Sequence, residues 1–430
     1  MVNKNLHSQK NKSKKASNGM KTSYFNLKYK PNRQKDIIAT YYIESKLGLK
    51  KAAIEVDKES SIGTWTNLTS MTSKIFDRLA PQVFYENRKT NIVKIAYPLA
   101  LFEPGEIPQL LSALAGNIFS MKVVDNLRLE DLDFPPKYLD SFQGPYYGLH
   151  GIRKLLNIKK RPLIGSIIKP KVGLSAKEQA KLAYTVWTNG IDVVKDDENL
   201  TDLPFNHFKD RVREVMKLKK RVEKETGLKK VYVFNVTAPA DLMLERAKYV
   251  KKMGGNCVMI DIVSCGLDNV QYLRKQNLKL ILHGHRAGHS AFTRNAKHGM
   301  TMLVLAKLAR LAGIDQLHTG TVVGKMEGDA KEVIAVNKAI TQVKGWSKIK
   351  PVMPIASGGL HPRLIPQLVK ILGNDLIINF GGGLHGHPQG SAAGAKACHD
   401  IIEAIETKAN LKTYLAKHPE LKTSFEHWPK

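Results

Sequence analysis

Two short stretches carry groups that could do chemistry: Lys169-Pro-Lys171, and Lys195-Asp-Asp197-Glu198 a little further on. Asp197 and Glu198 offer hard carboxylate oxygens suited to Mg2+, an ion that takes few carboxylates, several waters and an oxygen-rich substrate. Two carboxylates leave its shell incomplete. Later come His285, Arg286 and His289, then His318 and Lys325, then Ser357-Gly358-Gly359, and finally Gly381-Gly382-Gly383. Paired glycines let backbone N–H groups approach a phosphate closely because no Cβ intervenes. Arg286, His318 and Lys325 add donors that could hold a second phosphate or stabilise developing negative charge. Two anionic ends with a metal between them point to a bisphosphate substrate. Taken singly, each stretch also reads as a solvated turn, an acid cluster at a helix start or a tight loop.

The positions share one feature: each follows a short apolar run. From about Gly144 onward the runs PLIGSII, GIDVVK, KVYVFNVT, CVMIDIV, KLILHGH, GIDQLHTG, VMPIASGG and LIINFGGG alternate with longer amphipathic segments, the rhythm of parallel βα units. Eight units in a row predict a closed (β/α)8 TIM barrel, with an open doubly wound sheet as the alternative. In a barrel the loops after the strands converge on one face. Lys169 and Lys171 follow the first strand; Lys195, Asp197 and Glu198 end the second; Asn235 ends the third. His285, Arg286 and His289 follow the fifth, His318 and Lys325 the sixth, the Ser357 run the seventh and the glycine triplet the eighth. Such groups are rarely gathered at one mouth for packing alone, so together they read as a site.

The intervening helices are equally legible. Ser175 and Glu178 form a capping box, Leu182, Ala183, Val186 and Trp187 an apolar stripe, and Gly190 a stop. The spacing of Leu303, Leu305, Leu308 and Leu311 predicts a second such helix over Ala291–Ala312. Ahead of the barrel domain (144–430), residues 31–143 mix strand-like IIATYYIES and IVKIAYPLALF with a GTWT turn and a helical EIPQLLSALAGNIF, giving a small N-terminal α+β domain. Residues 1–30 are rich in Lys, Asn and Ser with no apolar h-region, which predicts a disordered tail rather than a secretory signal, with Met20 as an alternative start.

Composition narrows the class. The 430 residues are 43% hydrophobic and 25% charged, ordinary for a folded protein. Three cysteines, Cys257, Cys265 and Cys398, build no disulfide framework and no CxxC zinc spacing, which fits the reducing cytoplasm. The most apolar run, Ile92 to Phe102, is interrupted by Lys94 and Pro98 and is too short to span a bilayer. A net charge of +30 allows a polyanion partner or a Lys-rich solvated surface. The excess is spread through helices without an aromatic-interleaved module, so nucleic-acid binding is not expected.

GSIIKPKVGLS, DVVKDDENLT, LHGHRAGHSAFTRN, LHTGTVVGKMEG, IASGGLHP and NFGGGLHGHP, with ESSIGTWTNL and AGNIFSMK upstream, resemble the large-subunit family of ribulose-1,5-bisphosphate carboxylase/oxygenase (RuBisCO). The match runs in order from Asp36 and is nearest the archaeal and bacterial form III type. The resemblance implies a carboxylase that enolises ribulose 1,5-bisphosphate, adds CO2 and cleaves the product to two 3-phosphoglycerates, with O2 as a competing substrate. Lys195 would carry a carbamate, completing the Mg2+ shell with Asp197 and Glu198 and removing the C3 proton. Lys169 would protonate the final carbanion with Lys171 in support, His285 would handle protons after CO2 addition, and Lys325 would close over the substrate on a mobile loop. One phosphate would lie on Thr64, Trp65, Lys325, Gly359, Gly381 and Gly382, and the other on Arg286, His318 and Ser357, beside Gly358. Glu59, Thr64, Trp65 and Asn117 would complete the site of a neighbouring subunit, implying a homodimer or an assembly of dimers, without a small subunit. Departures are Gly288 where other members carry Met, a short stretch between Lys325 and Ser357, and no plant-type C-terminal latch. The alternatives are a RuBisCO-like enolase or isomerase of a related phosphorylated sugar, and a polyanion-binding protein on an inactive barrel.

Overall fold

The computed structural model describes residues 23–324 and 330–428. Its strands are β1 (Asp36–Glu44), β2 (Gln82–Asn87), β3 (Ile92–Pro98), β4 (Asn126–Asp133), β5 (Leu163–Ile167), β6 (Val193–Lys195), β7 (Val231–Asn235), β8 (Cys257–Asp261), β9 (Ile281–His285), β10 (Gly299–Met300), β11 (Gln316–His318), β12 (Met353–Ser357) and β13 (Ile377–Phe380). Eight of them, β5 to β9 and β11 to β13, close into a parallel barrel; the remaining five form a separate sheet in the order β10-β4-β1-β3-β2. The open-sheet alternative is thereby excluded. Each of the eight apolar runs contains one barrel strand.

Alternation along the strands builds two layers. Leu163, Val193, Val231, Val233, Cys257, Met259, Ile281, Met353, Ile355 and Ile377 fill the barrel interior, packed with Leu149, Ile152 and Leu156 of the helix Gly148–Leu156. Ile164, Val194, Tyr232, Phe234, Val258 and Ile260 point outward into the core shared with the surrounding helices. One of these helices, Ala176–Thr188, starts at the expected capping box: Ser175 Oγ accepts from the Glu178 N–H, and Glu178 accepts from the Ser175 N–H at 2.8 Å.

The segment Ala291–Ala312 is not one helix. It is a short helix at Ser290–Thr293, then β10, then a helix at Met302–Ala312. Gly299 explains the break: its φ is +108°, and a Cβ there would lie 2.2 Å from the Phe292 carbonyl. The inserted β10 pairs in parallel with β4 and ties the barrel to the N-terminal sheet. Lys307 strengthens that tie, donating to the Leu132 carbonyl at 2.8 Å and pairing with Asp131 at 2.6 Å.

In the N-terminal sheet, β1 is central, flanked by β3 and β4. The strands β2 and β4 and the helix Leu49–Glu59 add to the elements expected there. The described part of the expected tail is packed: Tyr24 is buried, Phe25 bridges Val83, and the Asn26 N–H donates to the Val83 carbonyl. Met20 and the rest of residues 1–22 lie outside the described residues.

Candidate active site at the barrel mouth

Register sets the site. Lys195, ending β6, pairs across to Ile167 at the end of β5 and to Val233 within β7, Asp261 faces His285, and His318 faces Ile355. Beyond β6 the chain turns so that its two aspartates part. Asp196 points away from the mouth into a fully buried cage, accepting from Arg211 at 3.1 Å, the Tyr232 hydroxyl at 2.6 Å and the Asn235 N–H at 3.0 Å. Asp197 accepts from Lys169 at 2.8 Å and from the Asn199 side chain at 2.9 Å. Burial pushes the Asp197 carboxyl up, but the Lys169 and Asn199 hydrogen bonds outweigh it and hold it below its ordinary value. Asn235 clamps the loop from behind, donating to the carbonyls of Asp197 and Glu198.

Lys195 is 1% exposed. Its ammonium donates to the Asp196 carbonyl at 2.7 Å and lies 3.8 Å from Glu198 Oε2. Burial pulls the Lys195 pKa below its ordinary value, against the pull of Glu198, Asp197, Asp261 and Asp196. Glu198 Oε2 is buried without a hydrogen-bond partner, 3.6 Å from His285 Nε2. The opposite nitrogen of His285, Nδ1, is 2.9 Å from Asp261 Oδ1, so a carboxylate at the end of β8 orients the ring. Asp261 escaped the sequence reading; its signal was an acid at the end of the fourth barrel run, CVMIDIV.

The fifth, sixth and seventh strands deliver the other polar groups. His318 Nδ1 meets Ser357 Oγ at 2.9 Å, and its ring lies 4.7 Å from that of His285. Burial pulls the Arg286 guanidinium down to about 10, which still leaves it charged at neutral pH, and it has no hydrogen-bond partner among the described residues. Gly320 makes its room: φ is +103°, and a Cβ there would lie 2.7 Å from Arg286 Nη2. Burial, with Arg286 and His285 nearby, pulls His289 down to about 4.

Gly381 lies against the first strand, where a Cβ would be 3.5 Å from Lys169 Cε, whereas a Cβ on Gly382 would meet open space. Gly383 belongs to packing instead, since its Cβ would fall 2.0 Å from the Leu360 carbonyl. Gly358 and Gly359 both have positive φ, and the Cβ position of Gly324 lies 3.1 Å from the Gly358 carbonyl. Lys325 itself lies outside the described residues. Lys171 is exposed. His385 ends the short helix Gly382–His385 after the last strand, held by Ser166 and Ser391 and pulled down to about 4 by burial and by the Lys169 charge.

Glu59, Thr64, Trp65 and Asn117 stand apart, on the N-terminal domain. Trp65 is 85% exposed and Asn117 is also exposed. No hydrogen bond or ion pair among the described residues joins these four to the mouth.

The mouth offers hard oxygen donors of the kind a divalent cation takes. The unpartnered Glu198 oxygen, the carboxylate of Asp197 and the buried amine are donors that lack a shared partner. A second acidic group, His399, Asp400 and Glu403, lies on the outer helix Gly390–Glu406. Its carboxylates are already engaged, Asp400 by His418 at 3.2 Å and Glu403 by the Tyr414 hydroxyl at 3.0 Å.

Comparison with known proteins gives one consistent result. Residues 148–428 match the family model of the ribulose bisphosphate carboxylase large chain, catalytic domain, and residues 23–138 match that of its N-terminal domain. A ribulose bisphosphate carboxylase of Methanocaldococcus jannaschii is 47% identical over 424 residues, covering 94% of this chain and 99% of that one. Among solved structures, octameric RuBisCO of Pyrococcus horikoshii, complexed with sulfate, superposes with TM-score 0.89 at 47% identity, covering 94% and 95% of the two chains. Dimeric RuBisCO of Hyperthermus butylicus gives 0.88 at 40% identity, covering 94% and 98%.

Proposed function

The chain belongs to the ribulose bisphosphate carboxylase large-chain family and carries its carboxylase activity, and from that premise we propose how the barrel mouth performs it. The substrates are ribulose 1,5-bisphosphate and CO2, and the cofactor is Mg2+. The observation that carries the reading is the buried Lys195 amine beside a buried Glu198 oxygen with no hydrogen-bond partner.

Burial disfavours the ammonium form of Lys195, so its neutral amine is accessible for attack on CO2. The new N–C bond and loss of one proton leave a carbamate, the third anionic arm beside Asp197 and Glu198. Mg2+ held by these three would supply Lewis-acid stabilisation of the oxygens that gain charge when the sugar enolises. The Lys195 carbamate takes the C3 proton. His285, its Nδ1 fixed by Asp261, directs Nε2 into the mouth and moves protons once CO2 has added. Lys169 returns a proton to the product carbanion after cleavage, supported by Lys171. Lys325 closes over the substrate and steadies the new carboxylate.

One phosphate is held by Arg286, by Ser357 and, through Ser357, by His318, and the other by Gly359, Gly381, Gly382 and Lys325 with Thr64 and Trp65. The exposure of Trp65 and Asn117 supports a site shared between subunits: Glu59, Thr64, Trp65 and Asn117 of one protomer complete the mouth of its partner in a homodimer, alone or in an assembly of dimers without a small subunit. O2 competes with CO2 for the same enediolate, giving an oxygenase side activity. No described helix is long and apolar enough to cross a membrane, and we place the enzyme in the cytoplasm.

The test is incubation with ribulose 1,5-bisphosphate, Mg2+ and labelled CO2. Labelled 3-phosphoglycerate is expected. Enolisation of the sugar without incorporation of label would contradict the reading and favour an enolase or isomerase.

A further inference from the structure

Behind Ser357 the barrel wall holds a run of neutral hydrogen-bonding groups, and the reaction above gives no role to two of them, Gln316 and His283. Gln316 of β11 faces His283 of β9 in the register. The Gln316 carboxamide oxygen lies 2.9 Å from His283 Nδ1, His283 Nε2 lies 2.9 Å from His318 Nε2, and His318 Nδ1 lies 2.9 Å from Ser357 Oγ. The three links form one chain from a side chain with no exposure to a serine at the mouth. Gln316, His283 and His318 are 0%, 2% and 3% exposed. Neither ring contacts a carboxylate among the described residues, and burial holds both far below the ordinary histidine pKa. Each ring is therefore neutral and carries a single N–H.

Two neutral imidazoles joined through their Nε2 atoms allow only two arrangements. In the first, His283 Nδ1–H donates to Gln316 Oε1, His318 Nε2–H donates to His283, and the Ser357 hydroxyl donates to His318 Nδ1. Ser357 then shows only lone pairs to the mouth. In the second, Gln316 Nε2–H donates to His283 Nδ1, His283 Nε2–H donates to His318, and His318 Nδ1–H donates to Ser357 Oγ. The serine proton is then free to point outward.

Two independent arguments select the second arrangement. With Oε1 turned to His283, the Gln316 amide nitrogen is buried with no acceptor. Turning the carboxamide over replaces an orphaned buried N–H donor, which folded proteins rarely tolerate, with an under-used carbonyl, which they tolerate more often. The second argument comes from the ligand: a phosphate oxygen needs donors, and a serine offering lone pairs would repel it.

We propose that Gln316 and His283 are positioning residues that fix the sense of this hydrogen-bond chain and so hold Ser357 as a donor to a substrate phosphate. The inference rests on the reading of Ser357 as a phosphate ligand, and the two are separable by experiment. Neutron diffraction from crystals of the perdeuterated full chain locates the deuterons. The proposal expects deuterium on His283 Nε2 and His318 Nδ1; deuterium on His283 Nδ1 and His318 Nε2 overturns it.

In kinetics, Gln316→Met removes the terminal donor at similar length. It is expected to raise KM for ribulose 1,5-bisphosphate about fivefold, the worth of one hydrogen bond, with kcat nearly unchanged; an unchanged KM overturns the proposal. Ser357→Ala serves as the control on the underlying reading. If Ser357→Ala leaves KM unaltered, the phosphate role of Ser357 falls. If it raises KM while the deuterons run the other way, only the positioning role is lost.

Discussion

Lys195 unites near-complete burial with four carboxylates in its surroundings, and the balance between them decides its charge. Burial is the larger effect, so the amine loses its proton more readily than an ordinary lysine. Carbamate formation consumes the neutral amine, so activation by CO2 at fixed free CO2 should accelerate as pH rises and level off above the lowered pKa. The expected midpoint lies below 10.5, the ordinary lysine value; trapping of labelled carbamate across pH would reveal it, and a midpoint at or above 10.5 would contradict the account. Asp261 gives a second prediction. Asp261→Asn keeps the shape but removes the carboxylate that fixes His285 Nδ1, so kcat should drop about 10²-fold, the scale of a misplaced acid–base group, with little change in melting temperature. Wild-type turnover would show that His285 needs no such orientation. Lys169, Lys195, Asp197, Glu198, His285, His318 and Ser357 were legible as a group because parallel strands end on one face. The parting of Asp196 from Asp197 was not legible, because it depends on Arg211 and Tyr232, which enter the buried cage from other elements.

At the level of elements, the barrel strands stood out because runs such as KVYVFNVT are buried on both faces and read as continuous apolar stretches. The strand β4 hid for the opposite reason. Its sequence NLRLEDLD alternates buried leucines with charged residues on the other face, and those charges mask a half-buried strand. The helix expected over Ala291–Ala312 failed at Gly299, where backbone conformation overruled the leucine spacing. Loops after strands also carry precision. Gly320 follows β11 in a conformation open chiefly to glycine, and its missing side chain is the space the Arg286 guanidinium fills. Gly320→Ala should therefore raise KM for the bisphosphate by about tenfold through displacement of that guanidinium, and cost about 1 kcal/mol of stability or more from the strained φ. Steady-state kinetics with thermal melts check both; an unchanged KM would mean that Arg286 does not hold the substrate.

At the scale of the whole molecule, the mouth of a single chain lacks the groups expected from the N-terminal domain. Trp65 is almost wholly exposed, a costly position for an indole with no partner surface. Sharing between protomers makes a sharp prediction by complementation. Lys195→Ala and Glu59→Gln should each be inactive or nearly so alone. Co-expressed, they should regain roughly a quarter of wild-type activity, because half of randomly assorted dimers are mixed and each mixed dimer has one intact site. Absence of any recovery would place Glu59 and Lys195 in the same site of the same chain. The most direct test of the central claim is a crystal structure of the assembled enzyme activated with Mg2+ and bicarbonate. The account predicts a carbamate on Lys195 with the ion bound by it, Asp197 and Glu198. An unmodified Lys195 with Mg2+ held elsewhere would contradict it.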